Sequence, residues 1–268
     1  MKSTIGGIVA VCLCLVLIVV VFAYVLPYCD YLQAISLADA GRYEEAYDAF
    51  LAMDGYKDSV QRAQQIFEEY KAEKFKNAAV GKTFYWGKYE QDNDLTNGPE
   101  DIEWIVLAIE DGKALLLSRC GLDAVTFHDT DEPVTWEDCT LRAWLNSQFW
   151  DKAFSDEEQA RILTTSVVDD RDQEKVTEDK VYILNDDELE FYLEKSDQRR
   201  VHFTEYATAQ GGHANRYNGT CWWWTRTIKG NGTTVSTIDG YGLFENFGSM
   251  ATDTSVSVAP AIWIQLDT

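Results

Sequence analysis

Glu103-Trp104-Ile105-Val106-Leu107-Ala108-Ile109, then Glu110-Asp111-Gly112-Lys113, then Ala114-Leu115-Leu116-Leu117-Ser118: two apolar runs joined by a short polar turn predict a β-hairpin. Both runs are apolar on both faces, so the hairpin belongs in the middle of its sheet. Upstream, Phe84, Trp86 and Tyr89 open the same texture of short strands near Val80. Downstream, Leu141, Trp144, Leu145 and Phe149 form one stripe of a helix from Cys139 to Phe149. In Ser155-Asp156-Glu157-Glu158 the hydroxyl can accept from the N–H of Glu158 while that carboxylate reaches back, a capping box for a second helix. A charged, mobile loop over 169–179 then leads to a strand from Lys180 to Leu184, and Asn185 caps a helix carrying Leu189, Tyr192 and Leu193. Cys221 to Arg226, Thr233 to Ile238 and Val256 to Leu266 read as the closing strands.

Working back to the N-terminus, no charged residue lies between Lys2 and Asp30. The run is long enough to span the hydrocarbon core as a helix, and bulky Phe22, Tyr24, Leu26 and Tyr28 leave no small-x-small cleavage site. A lipid-modified Cys29 would need small residues before it, and Pro27-Tyr28 supplies none. The reading is an uncleaved signal anchor over 5–28, with 1–4 in the cytoplasm and everything after 28 outside, because the basic flank precedes the span. Residues 29–78 read as a helical stalk. There Ala40-Gly41-Arg42-Tyr43-Glu44-Glu45-Ala46 with Phe50 is similar to the helix-turn-helix of tetratricopeptide repeats, and one repeat cannot bury its own face. Residues 79–268 form the globular domain.

The net charge of −22 rules against nucleic acid as a partner, since phosphate binding wants the opposite sign. Cys12 and Cys14 fall in the expected span and Cys29 at its edge, leaving Cys120, Cys139 and Cys221, an odd number without metal-ligand spacing. His128, His202 and His213 are scattered, so no zinc site or Cys-His nucleophile is expected. Asp92, Asp94, Thr96 and Glu103 fall at calcium-loop positions, but Asn97 holds the sharp-turn place and Gly98 comes one late, so a solvated turn is expected. No phosphate loop, serine elbow or paired redox cysteines occur, and neither metal nor cofactor is expected.

Seven segments together carry a family resemblance: Trp86-Gly87-Lys88-Tyr89-Glu90-Gln91, Ile102-Glu103-Trp104-Ile105-Val106-Leu107, Leu115-Leu116-Leu117-Ser118, Leu141-Arg142-Ala143-Trp144-Leu145-Asn146, Phe154-Ser155-Asp156-Glu157-Glu158, Trp223-Trp224-Thr225-Arg226 and Pro260-Ala261-Ile262-Trp263-Ile264. From about residue 80 to the C-terminus the chain resembles the bacterial domain-of-unknown-function family 6273, whose members are common in envelope proteins and often follow a membrane anchor. The resemblance implies an α+β, C-type-lectin-like or sulfatase-modifying-factor-like mixed domain, here preceded by one transmembrane helix and a short helical hairpin. It implies no reaction. The sequence departs from the family where Trp-Trp-Leu-Arg-Ser is usual and Thr225 and Thr227 stand instead, and where Ala259 replaces an arginine before the proline.

The candidate ligand-binding residues are Trp222, Trp224, Arg226 and Arg142. A strand places Trp222 and Trp224 on one face, where an indole can stack on a sugar or pack in the core. Arg142 and Arg226 can hold a ligand carboxylate by paired N–H donors or tie helix to sheet. No catalytic residue is assigned. The expectation is a membrane-anchored extracytoplasmic binding or scaffolding module, its partners the lipid bilayer through 5–28 and a cell-wall glycan or another envelope protein. The alternatives are a hydrolase using Asp129, Asp131 or Glu132 in a cleft and a purely structural assembly partner.

Overall fold

The computed structural model describes residues 21–266 apart from 54 and 173, and the chain divides into two compact units, Met1–Lys74 and Phe75–Thr268. In the first, helix α1 (Leu26–Asp39) begins with Pro27 in its first turn, where the missing N–H costs nothing. It ends in a Schellman turn: Gly41, at φ +71°, donates to Ala38 O, and Arg42 donates to Leu37 O at 3.0 Å. Helix α2 (Tyr43–Leu51) packs back on α1, with Ala34 and Ala46 fully buried beside Tyr31 and Phe50, so that small residues let the helices approach. Helix α3 (Ser59–Asn77) adds Ala63 and Ile66 to this core. Arg62 Nε donates to Tyr31 Oη at 2.8 Å, and Tyr31 donates to Asp58.

The expectation of a transmembrane helix heading the fold is corrected. Among the described residues no helix is long and apolar enough to cross a membrane. The expected span lies outside the described residues as far as 20, and α1 starts within its end and carries charged Asp30. The helical segment is short, and the tetratricopeptide resemblance gains no support from its one glycine-turned helix pair.

The second unit is α+β, as expected, and mostly β. Strand β1 (Thr83–Tyr89) is followed by β2 (Glu100–Glu110), β3 (Lys113–Ser118), β4 (Cys120–Gly121) and β5 (Asp123–Ala124). Helix α4 (Thr140–Trp144), a π-helical turn Leu145–Phe149, α5 (Trp150–Ala153) and α6 (Asp156–Gln159) precede β6 (Ile162–Leu163), β7 (Thr165–Val168) and β8 (Val176–Asp179). Then come α7 (Asp186–Tyr192), a 3-10 turn Ser196–Arg199, β9 (His202–Phe203), α8 (Glu205–Ala209), β10 (Ala214–Asn215) and β11 (Thr220–Cys221). Strands β12 (Trp223–Lys229), β13 (Thr234–Ile238), β14 (Ser249–Met250), β15 (Ser257–Val258) and β16 (Ala261–Gln265) complete the domain.

The central sheet runs β1-β2-β3-β16-β6, antiparallel throughout. Its β2–β3 turn pairs Glu110 with Lys113, so Asp111 (φ +49°) and Gly112 (φ +75°) make a two-residue turn with both φ positive, matching the twist of the strands it joins. A second five-stranded sheet has the order β14-β13-β12-β15-β5, and a small one runs β10-β11-β9-β4, in which β4 and β9 are parallel. One apolar core joins Trp104, Phe127, Trp136, Phe149, Trp223 and Trp224.

Local expectations fare unevenly. The capping boxes form at Ser155 and Asn185. The stretch read as a loop over 169–179 instead includes strand β8, paired antiparallel with β7. Within the expected strand from Lys180 to Leu184, Tyr182 makes one isolated bridge to Ala261. Trp223 and Trp224 are adjacent and both 0% exposed, because both faces of their sheet are covered.

Candidate functional site

A cleft of about 400 Å³ is lined by residues of β2, of β9 and β11 in the small sheet, and of the 3-10 turn. Ile105, Val106 and Leu107 form its apolar wall. The pairing of β2 with β3 shifts between Val106 and Ala108, so Leu107 is the extra residue of a bulge, which bends the strand at this wall. Arg119, Arg200, His202 and Thr220 also line the cleft, with Asp197 at the 3-10 turn.

Backbone pairing holds Arg119 in place: its N–H donates to Glu103 O at 3.0 Å and its carbonyl accepts from His202 N at 2.9 Å. Its buried Nε lies 2.9 Å from Glu103 Oε1, yet it is misaligned for a hydrogen bond. The contact is therefore ionic only. Arg200 is exposed, and its side chain makes a single long hydrogen bond, Nε to Tyr241 O at 3.4 Å. Asp197 and Arg200 line the same cleft without pairing among the described residues. His202 Nδ1 lies 3.1 Å from Gly219 O. A carbonyl can only accept, so Nδ1 carries the proton and Nε2 of the neutral ring keeps its lone pair. Thr220 Oγ1 lies 2.6 Å from both Asn218 Oδ1 and Gly240 O, and its one proton is donated to one of these two acceptors.

None of the four residues singled out from sequence lines this cleft. Arg226 is 4% exposed and donates to Asp170 Oδ1 at 2.8 Å, Glu188 Oε1 at 2.6 Å and Val168 O at 3.2 Å. Arg142 donates through Nε to buried Asp179 at 2.6 Å, whose other oxygen accepts from Trp136 Nε1 at 2.9 Å and Thr177 Oγ1 at 2.6 Å. Both arginines tie the β7–β8 hairpin to the rest of the domain. Trp224 is buried with Nε1 donating to Val125 O at 3.0 Å, while half-buried Trp222 stands 5.7 Å from the His213 ring.

The departures from the family pattern fit this packing. Thr225 donates to Asp186 Oδ1 at 2.7 Å, and Thr227 keeps a hydroxyl on Asp170 Oδ2 at 2.7 Å. Ala259 is fully buried, so no arginine reaches a pocket from there.

The carboxylates of the hydrolase reading are engaged elsewhere. Asp129 accepts from Thr126 at 3.0 Å and Thr140 at 3.2 Å, Asp131 accepts from Thr252 at 2.9 Å, and Glu132 is exposed. None of them lines the cleft or a second cavity of about 330 Å³ beside Glu110, Asp111 and Trp263. Asp92 and Asp94 cap the backbone of their own turn through Asp94 N and Thr96 N. Glu90, Asp92 and Glu100 each bring one oxygen within 4.8 Å of the others, and burial, then the charge of Glu100, pushes the Glu90 carboxyl up. Cys120, Cys139 and Cys221 are free thiols, each pushed up to about 12 by burial, which suppresses the thiolate a nucleophile needs.

Sequence reasoning missed Arg119, Arg200 and His202. Leading into β9, buried Val201 stands between exposed Arg200 and His202, the alternation of a strand with one face covered. Arg119 carries no such mark.

Fold and site together define a mostly β α+β domain with one polar cleft between sheets and an interior closed by arginine–carboxylate ties. The family model described as Domain of unknown function (DUF6273) matches residues 111–266, more than half of the chain, and the chain belongs to that family. The match begins beyond Trp86–Gln91 and Ile102–Leu107. No curated protein and no solved structure matches the chain, so nothing supports the lectin-like fold implied by the resemblance.

Proposed function

We propose that this domain is a ligand-binding module at the cell envelope and that the cleft between β2 and the small sheet receives the ligand. One observation carries the reading: a cavity of about 400 Å³, within the range of small-molecule sites, is lined by an apolar strand together with polar side chains. Those side chains are anchored by paired backbone, so the wall is pre-formed. Attachment to the membrane, with the N-terminus inside and the domain outside, is supported by the uncharged run between Lys2 and Asp30. A cell-wall glycan fragment or a segment of another envelope protein suits the cleft.

A second reading, assembly with another protein, is favoured by exposed Tyr217, Tyr241, Leu243 and Phe247. The test is a thermal-shift screen of the detergent-solubilised full-length chain against cell-wall sugars, short peptides and calcium. A ligand that binds only the native state raises the melting temperature. No shift anywhere in the panel leaves assembly as the stronger reading.

A further inference from the structure

Arginines in this domain fall into two sets. Arg142, Arg199 and Arg226 spend their N–H groups on the protein: Arg199, for example, donates to Leu193 O at 2.6 Å, Glu194 O at 3.2 Å and Gly242 O at 3.0 Å. Arg119 and Arg200 commit only Nε, in an ionic contact with Glu103 and a long bond to Tyr241 O. Among the described residues their terminal guanidinium nitrogens have no hydrogen-bond partner, and both side chains line one cleft. An unfilled guanidinium fork matches the two oxygens of a carboxylate, and a charge-assisted bond is about twice as strong as a neutral one.

The cleft also offers acceptors. With Nδ1 donating to Gly219 O, Nε2 of the neutral His202 ring is an acceptor, and Asp197 contributes a carboxylate that pairs with neither arginine. Ile105 and Leu107 line the same cleft with apolar side chains.

We propose that the cleft recognises a small organic acid whose carboxylate lies close to a hydroxyl or amide N–H, the pattern of a sugar acid or of a peptide C-terminus. Arg200, aided by Arg119, takes the carboxylate. His202 Nε2 and Asp197 accept from the neighbouring donor, and Leu107 covers the apolar part. The domain is acidic overall, so the open terminal N–H groups of Arg200 give a carboxylate a partner where the rest of the surface repels it. This inference rests on the cleft being the binding site of the module.

The test is isothermal titration of the detergent-solubilised full-length chain with probes matched in pairs. N-acetylmuramic acid is set against N-acetylglucosamine, which lacks the lactyl carboxylate, and an acetylated dipeptide with a free C-terminus is set against its C-terminal amide. The acid of at least one pair is expected to bind about ten- to a hundredfold tighter than its neutral partner, the span of one charge-assisted hydrogen bond. Arg200→Ala should remove that preference, Arg200→Lys should keep part of it, and Lys88→Ala, outside the cleft, should change nothing. Equal binding of acid and neutral forms, with Arg200→Ala unaltered, overturns the carboxylate inference and leaves the module reading standing. No binding by any probe, together with no response in the thermal screen, overturns both.

Discussion

The hairpin clamp and the cleft use the same chemistry to opposite ends. Around β7–β8, Arg226 and Arg142 meet carboxylates that in turn accept from indole, hydroxyl and amide groups, so almost every donor is filled. In the cleft, Arg119 and Arg200 stand over apolar strand residues with their terminal donors open. The difference teaches that an arginine's role is set by what is left unpaired. A closed network returns its interaction energy to the fold, and an open one holds it for a partner.

The comparison breaks first at Arg226. Replacing it by Met removes a 4%-exposed cation and leaves Asp170 and Glu188 facing each other, so a loss of about 3 kcal/mol is expected in urea unfolding. A loss below about 0.5 kcal/mol, the scale of an unremarkable surface change, would show that the clamp is not closed. Asp179→Asn keeps the shape but removes the charge that holds Arg142, and about 2 kcal/mol is expected, in line with hydrogen bonds to charged groups.

Acid sharpens the same contrast. Burial raises the carboxyls of Asp186, inside the clamp, and of Asp123, which accepts from Tyr89 Oη at 2.6 Å. A raised carboxyl is protonated more readily in the folded state, so its contribution to stability is lost as pH rises through the folded value and is full below the ordinary value of about 3.9. Melting temperature is therefore expected to rise as pH is lowered from 8 toward the raised values. It should fall again nearer the ordinary value, where Asp58, Asp92 and Glu205, held low by hydrogen bonds, begin to take up protons. Asp123→Asn should flatten the rising arm. A melting temperature that falls steadily from pH 8 downward would refute the assignment.

Elements fixed by neighbours in the chain were legible. The Asp111-Gly112 turn, the Ser155 box and the Asn185 cap each depend on residues within four positions, so local chemistry states them fully. The faces of Trp222 to Trp224 were not legible, because alternation assigns an inside and an outside only where one face meets water, and here Trp223 and Trp224 are both enclosed. The cleft was least legible of all. Arg119 is brought beside His202 by the parallel pairing of β4 with β9, a contact between segments more than eighty residues apart that leaves no periodic trace in either. Family motifs pointed to Arg142 and Arg226, which the structure places in the packing machinery.

The smallest expected effect is the most discriminating. Arg200 is exposed and its one intramolecular hydrogen bond is a long one at 3.4 Å, so Arg200→Ala should change unfolding free energy by no more than about 0.5 kcal/mol, as for ordinary surface substitutions. Arg199, its chain neighbour, sets the scale: it is buried on three carbonyls, and its removal should cost several times more. If Arg200→Ala proves as costly as Arg199→Ala, both arginines belong to the closed set and the cleft has no open cation to offer. If it is silent in urea but abolishes acid selectivity in titration, the open donors serve binding alone, because a residue can lose function without losing stability only when its interactions are completed by something outside the chain.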